Sequence, residues 1–214
     1  MKIAIIGAME KEIKEYIKIY NLLEVEEKIW KNKNIIVAES GIGKVNSSMM
    51  VQHIIDKYAP DYIISTGCAG ALSKDLNVLD VIVPDFVTYH DFFPERVMRY
   101  SVPDNGNIKV DEKLKKMTIE IIEKMNNVHF VQTNICSGDC YVTDNVTKEE
   151  IVKRTGASVV DMESASIAHV ARKNNIPFIT IRTISDFADG NDELEEIAAN
   201  VSCSICCNVI KKLK

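Results

Sequence analysis

The chain has 214 residues, of which 46% are hydrophobic and 27% charged, with a formal net charge of −5. That balance fits one compact domain, residues 1–214, and excludes a general nucleic-acid binder, which carries a basic excess. No apolar run approaches the ~20 residues of a membrane span, so no membrane partner is expected.

The chain opens on "MKIAIIGAMEKE", a short apolar run ended by charges. It reads as a first strand over 2–7 and not as a secretory leader. A helix over 9–21 follows, with Met9, Ile13, Tyr16 and Ile17 as its apolar stripe. Glu12 lies along that stripe, three residues after Met9 and four before Tyr16. Two readings stay open for it: an inward carboxylate of raised pKa that acts as a base, or a helix-edge carboxylate in water. The next strand, over 34–40, runs into "SGIGKV". Where a P-loop demands Gly and then Ser or Thr, this stretch has Ala38 and Val45, so a nucleoside triphosphate is not expected. A helix over 44–58 and a strand over 61–66 lead to "TGCAGAL", which reads as a loop whose backbone N–H groups suit an anion.

The second half continues the alternation. Strands are expected over 80–89, 128–136, 157–162 and 177–185, and helices over 111–126, 147–155, 163–174 and 191–213. "PDNGN" (103–107) is the strongest turn signal and is expected in an exposed loop. Val- and Ile-rich strands alternating with helices predict an α/β fold: a single domain with a central mixed β-sheet flanked by helices. Ligands of such sheets sit beyond the carboxyl ends of the strands, and here those ends gather glycines, small hydroxyls and acids. Turn chemistry alone accounts for the glycines, but poorly for Glu12, Glu163 and Arg182.

"SVVDMESASIAHVA" (158–171) places Asp161 and Glu163 in an apolar run, where each buried acid needs a partner or a ligand. Arg182 stands in an apolar strand and cannot shed its charge, so burial demands acidic neighbours; Asp161 and Asp186, at nearby strand ends, are the expected ones. The six cysteines (Cys68, Cys136, Cys140, Cys203, Cys206 and Cys207) have no zinc-site spacing and read as small buried thiols of a reducing cytosol.

Taken together, "IIGAMEKE" (5–12), "SGIGKV" (40–45), "TGCAG" (66–70), "YHD" (89–91), "SGD" (137–139), "DMESASIAHV" (161–170) and "RTISDFAD" (182–189) span nearly the whole chain. In that order they resemble the 5′-methylthioadenosine/S-adenosylhomocysteine nucleosidases of the nucleoside phosphorylase superfamily. The resemblance implies a nucleoside phosphorylase-like fold, a cytoplasmic homodimer and an adenine nucleoside substrate, with no metal or organic cofactor. It implies that Glu12 activates the attacking water, that Asp186 protonates the leaving adenine at N7, and that Glu163 holds the ribose 2′- and 3′-hydroxyls. Arg182 matches an arginine of the same pocket, and Ser185 precedes the acid. Met9, Ile42 and Met162 match apolar residues around the ribose and 5′ substituent. Tyr141 stands where the family has a phenylalanine stacked on adenine, and Val142 where backbone groups read the base edge. Three departures stand out. Cys68 replaces a serine, Asp161 replaces a glutamate, and "FFPERVMRYSVPDNG" (92–106), with Arg96 and Arg99, replaces the segment that caps the 5′ end, often from a neighbouring subunit.

Breaking a ribosyl C–N bond passes through an oxocarbenium-like state, as in glycoside hydrolysis, which explains an acid for the leaving base, a base for water and a carboxylate on the sugar. The same inventory suits methylthioadenosine, adenosylhomocysteine, 5′-deoxyadenosine or a modified futalosine. Two rivals remain. A purine nucleoside phosphorylase would use phosphate, yet of five arginines only Arg182 falls in a site motif. A non-catalytic adenosine-binding module would have no need of Glu12.

Overall fold

The structure is a computed structural model that describes residues 1–190 and 194–214. Its strands are β1 (Ile3–Gly7), β2 (Leu23–Glu26), β3 (Ile29–Lys31), β4 (Ile35–Glu39), β5 (Tyr62–Ala71), β6 (Val81–Ile82), β7 (Phe86–Tyr89), β8 (Ile108–Lys109), β9 (Phe130–Val131), β10 (Ile135–Ser137), β11 (Val159–Asp161) and β12 (Phe178–Asp186). Its helices are α1 (Glu10–Ile19), α2 (Lys44–Tyr58), α3 (Glu95–Ser101), α4 (Glu112–Ile122), α5 (Asn145–Thr155), α6 (Ser164–Lys173) and α7 (Glu195–Leu213). The helix expected over 191–213 is α7; positions 191–193 lie outside the described residues.

The strands form one mixed sheet in the order β2-β3-β4-β1-β5-β11-β10-β7-β8, and β12 adds beside β5 and leads to β6 and β9. Strand β5 is the branch point. Its first half lies parallel to β1, most of its length runs parallel to β12, and its last residues, Gly70 and Ala71, pair antiparallel with β11. Strand β5 thus changes partners along its length, and Cys68, Ala69 and Gly70, near its end, line the candidate site.

Alternation along the strands builds a core on each face. Ala4, Ile6, Ile36 and Ala38 pack with Val51 and Ile54 of α2 and Ala165, Ala168 and Ala171 of α6. Ile3, Ile5, Ile35 and Val37 pack with Ile13 and Tyr16 of α1, Leu114 and Ile122 of α4, and Cys203, Cys206 and Ile210 of α7. Four of the cysteines are buried; Cys68 is half-buried and Cys140 exposed, which corrects the expectation of six buried thiols. Among the described residues no helix is long and apolar enough to cross a membrane.

The structure differs from the sequence expectation in definite places. "TGCAG" is not a loop: it lies inside β5, paired with β12, and its Cys68 N–H is turned to the carboxylate of Glu12. The run 80–89 splits at Pro84 into β6 and β7, because proline cannot donate to a ladder. The run 128–136 likewise splits into β9 and β10. The β2–β3 hairpin and α3 are additions. "PDNGN" forms a short 3-10 turn with Gly106 buried against Met98, not a fully exposed loop.

Candidate active site

Glu12 is the third residue of α1, and its carboxylate reaches back over the helix start. Oε2 accepts hydrogen bonds from the backbone N–H of Ala8 (2.6 Å) and Met9 (3.1 Å), satisfying donors that a helix N-terminus leaves open. Oε1 accepts from the Cys68 N–H at 3.0 Å, with the Cys68 Sγ at 3.6 Å. Glu12 is 3% exposed, so it faces inward and is not a helix-edge carboxylate in water. Gly67 makes room for it: a Cβ there would sit 2.0 Å from Glu12 Oε1 and 2.4 Å from Arg182 NH1, and its φ of +149° is unfavourable for other residues.

Arg182 lies opposite Gly67 in the β5–β12 ladder and is 1% exposed. Its Nε donates to Asp161 Oδ2 at 2.8 Å and its NH1 to the Thr66 carbonyl at 2.6 Å. Glu163 Oε2 is 3.7 Å from NH2 and Glu12 Oε1 is 4.0 Å from NH1. One guanidinium thus faces three carboxyl groups. Asp186, expected as a partner, is not among them, because a β-bulge between Ile184 and Asp186 turns its side chain elsewhere. Asp186 instead accepts from the Ala188 N–H (2.6 Å) and the Ser185 hydroxyl (2.6 Å).

The Asp161–Glu163 pair divides at the end of β11. Asp161 accepts from the Ser137 hydroxyl at 2.5 Å, from the Ser164 hydroxyl, and from the N–H groups that open α6, so it caps that helix while binding Arg182. Glu163 reaches across to α2, where its Oε1 accepts from the Gly43 N–H at 2.8 Å. Burial, then the nearby Asp161, push the Glu163 carboxyl above the ordinary carboxylate range, with Arg182 offsetting part of the rise. Burial, then Glu12, likewise push the Cys68 thiol well up, so it is no ready nucleophile.

The Glu163 shift predicts a pH dependence of stability. A carboxyl that holds its proton more tightly when folded makes folding take up a proton above the ordinary carboxylate range. Stability from this group is therefore lost as pH rises from that range through the folded pKa. Glu163→Gln removes the titration, so the urea midpoint of the variant, relative to the parent, should climb between pH 5 and 8 in the absence of ligand. Parallel midpoint curves would show that burial does not penalise this charge.

A single cleft gathers Met9, Glu12, Ile42, Cys68, Tyr141, Val142, Met162, Glu163, Ser185 and Asp186. Every residue expected at the site lines it except Arg182, which stands behind the wall and holds the acids. Ala8, Ala69, Gly70, Cys140, Val160, Asp161, Ala188 and Glu195 also line it and were not among the residues expected there. Among the described residues no group of three or more His, Cys, Asp or Glu side chains is arranged to hold a metal ion.

This arrangement has counterparts. The family model of the phosphorylase superfamily matches residues 2–211. The chain belongs to the phosphorylase superfamily. Within that superfamily it is 32% identical to the 5′-methylthioadenosine/S-adenosylhomocysteine nucleosidases of Bacillus velezensis and Bacillus subtilis, with all of each chain covered. The crystal structure of the Neisseria meningitidis nucleosidase of that name, in complex with methylthio-immucillin-A, superposes with a TM-score of 0.90 at 29% identity and 99% coverage of both chains. A futalosine hydrolase of Helicobacter pylori superposes with a TM-score of 0.88 at 28% identity, covering 99% of this chain and 98% of that one.

Proposed function

We propose that the chain hydrolyses the N-glycosidic bond of 5′-methylthioadenosine and S-adenosylhomocysteine, releasing adenine and the 5′-substituted ribose. The observation that carries this reading is the convergence of Glu12, Glu163 and Asp186, from three distant segments, on one cleft. Glu12, buried and held by three backbone N–H groups, is fixed as the base that orients water and takes its proton. Glu163, anchored by the Gly43 N–H, accepts from the ribose hydroxyls; that contact repays part of its burial and lets positive charge build on the sugar ring. Asp186 supplies the proton to N7 of the leaving base, its position set by Ser185 and Ala188. Tyr141 stacks on the adenine, and the backbone at Val142 reads its edge.

Two observations favour water over phosphate as nucleophile. The buried carboxylate of Glu12 lines the cleft and repels an anion, and the buried guanidinium behind it already serves Asp161, Thr66 and the flanking carboxyls. At the 5′ end, the apolar walls from Met9, Ile42 and Met162 suit a thioether. Ile42, Val45 and Met49 are at least half exposed at the start of α2, beside this end. Their exposure supports a homodimer in which a second copy covers them. The same reading makes 1–214 one catalytic domain of a cytoplasmic enzyme.

The test is adenine release from methylthioadenosine, adenosylhomocysteine, 5′-deoxyadenosine and adenosine. Turnover should be fastest for the two thioethers. Tight binding without turnover across the whole set would make the protein a nucleoside-binding module instead.

A further inference from the structure

Glu195, the first residue of α7, lines the cleft together with Glu12 and Cys68, and no role in bond cleavage falls to it. Its carboxylate is bound by the ammonium of Lys11, the neighbour of Glu12 on α1. The contact joins residues 184 positions apart, and the two side chains are 34% (Lys11) and 12% (Glu195) exposed. Lys14 and Glu196 form a second pair between the same helices, so Glu196 is already engaged. Lys11 is thus a cation beside the nucleophile side of the cleft, and Glu195 is the group that holds it.

An unheld ammonium at this place has a chemical consequence. Inorganic phosphate is a mixture of mono- and dianion at neutral pH and is drawn to a lysine as to a point charge. With Lys11 held in this ion pair, the carboxylates of Glu195 and Glu12 confront an arriving anion. We propose that Glu195 is a specificity-determining residue: by holding Lys11, it keeps anionic nucleophiles out of the water side of the cleft. The proposal rests on the hydrolytic reading above and adds what enforces it.

The test replaces Glu195 by Gln, alone and together with Lys11→Gln. Methylthioadenosine hydrolysis is followed against inorganic phosphate, with ionic strength held constant by chloride. The parent protein should be insensitive to phosphate. In Glu195→Gln, tens of millimolar phosphate should lower kcat/KM by about three-fold or more, and the double substitution should abolish that sensitivity. Broadening of the phosphate 31P resonance reads anion binding without turnover, and should appear for Glu195→Gln and for Glu195→Ala but not for the parent or the double variant. Phosphate sensitivity in the parent, its absence from the folded single variants, or its persistence in the double variant would each overturn the proposal. A parent protein that releases no adenine would sink the hydrolase reading, while the 31P measurement would still decide this one.

Discussion

Replacing Arg182 by Met is expected to cost about 3–5 kcal/mol of folding stability, the usual consequence of removing one partner from a buried ionic cluster. The side chains left behind, Glu12, Asp161 and Glu163, are 2%, 3% and 8% exposed and would face one another without a cation. The loss should grow as pH rises above the ordinary carboxylate range, since proton uptake by the carboxyls relieves their repulsion at low pH. Arg182→Lys should recover only part of it, because one ammonium cannot reach Asp161 and the Thr66 carbonyl with the fork geometry of a guanidinium. Urea denaturation of both variants at pH 5 and pH 8 measures this. A loss below about 1 kcal/mol for Arg182→Met at pH 8 would mean that the cluster is not held by its charge.

The second large effect is on turnover. Glu12→Gln should reduce kcat for methylthioadenosine by at least ~10²–10⁴-fold, the usual contribution of a positioned general base. Nucleoside affinity should change far less, because the proposed function gives the adenine and ribose contacts to other residues. The substitution also has a structural cost. Both carboxylate oxygens accept backbone N–H groups, so either orientation of the amide turns an NH₂ toward a donor. That mismatch is expected to lower stability by about 1–3 kcal/mol, so the assay belongs well below the melting transition. Kinetics paired with a calorimetric Kd separates the two effects. Near-parental kcat in a folded variant would remove Glu12 from the chemistry.

What could be read from the sequence follows from where the signals are local. Strands β1 and β12 announce themselves as apolar runs, and the acids stand out because each breaks such a run or follows its end. Glu12 was visible as a carboxylate on an apolar stripe, and Arg182 as a charge that burial must answer. The partners of these groups were not visible. The Gly43 N–H that anchors Glu163 lies 120 positions away, and no periodicity encodes such a meeting. Strand β2 escaped because Leu23, Glu24 and Val25 are exposed, so it lacks the buried face that makes alternation legible, and β3 is only three residues long. "TGCAG" was misread because its glycines signal a turn, whereas here one of them clears space for Glu12 and Arg182 inside a continuous strand. The pairing of Asp161 with Arg182 was correctly anticipated and that of Asp186 was not, because a bulge of one residue reverses where a strand-end side chain points.

On the proposed function, the buried Glu12 carboxylate directs water, and not phosphate, at the ribosyl carbon. The most direct measurement is adenine release from methylthioadenosine in phosphate-free buffer, with the sugar product identified by mass. The expected result is full turnover to free methylthioribose at a rate unchanged by added phosphate. Adenine release that requires phosphate and yields a phosphorylated sugar would contradict the account.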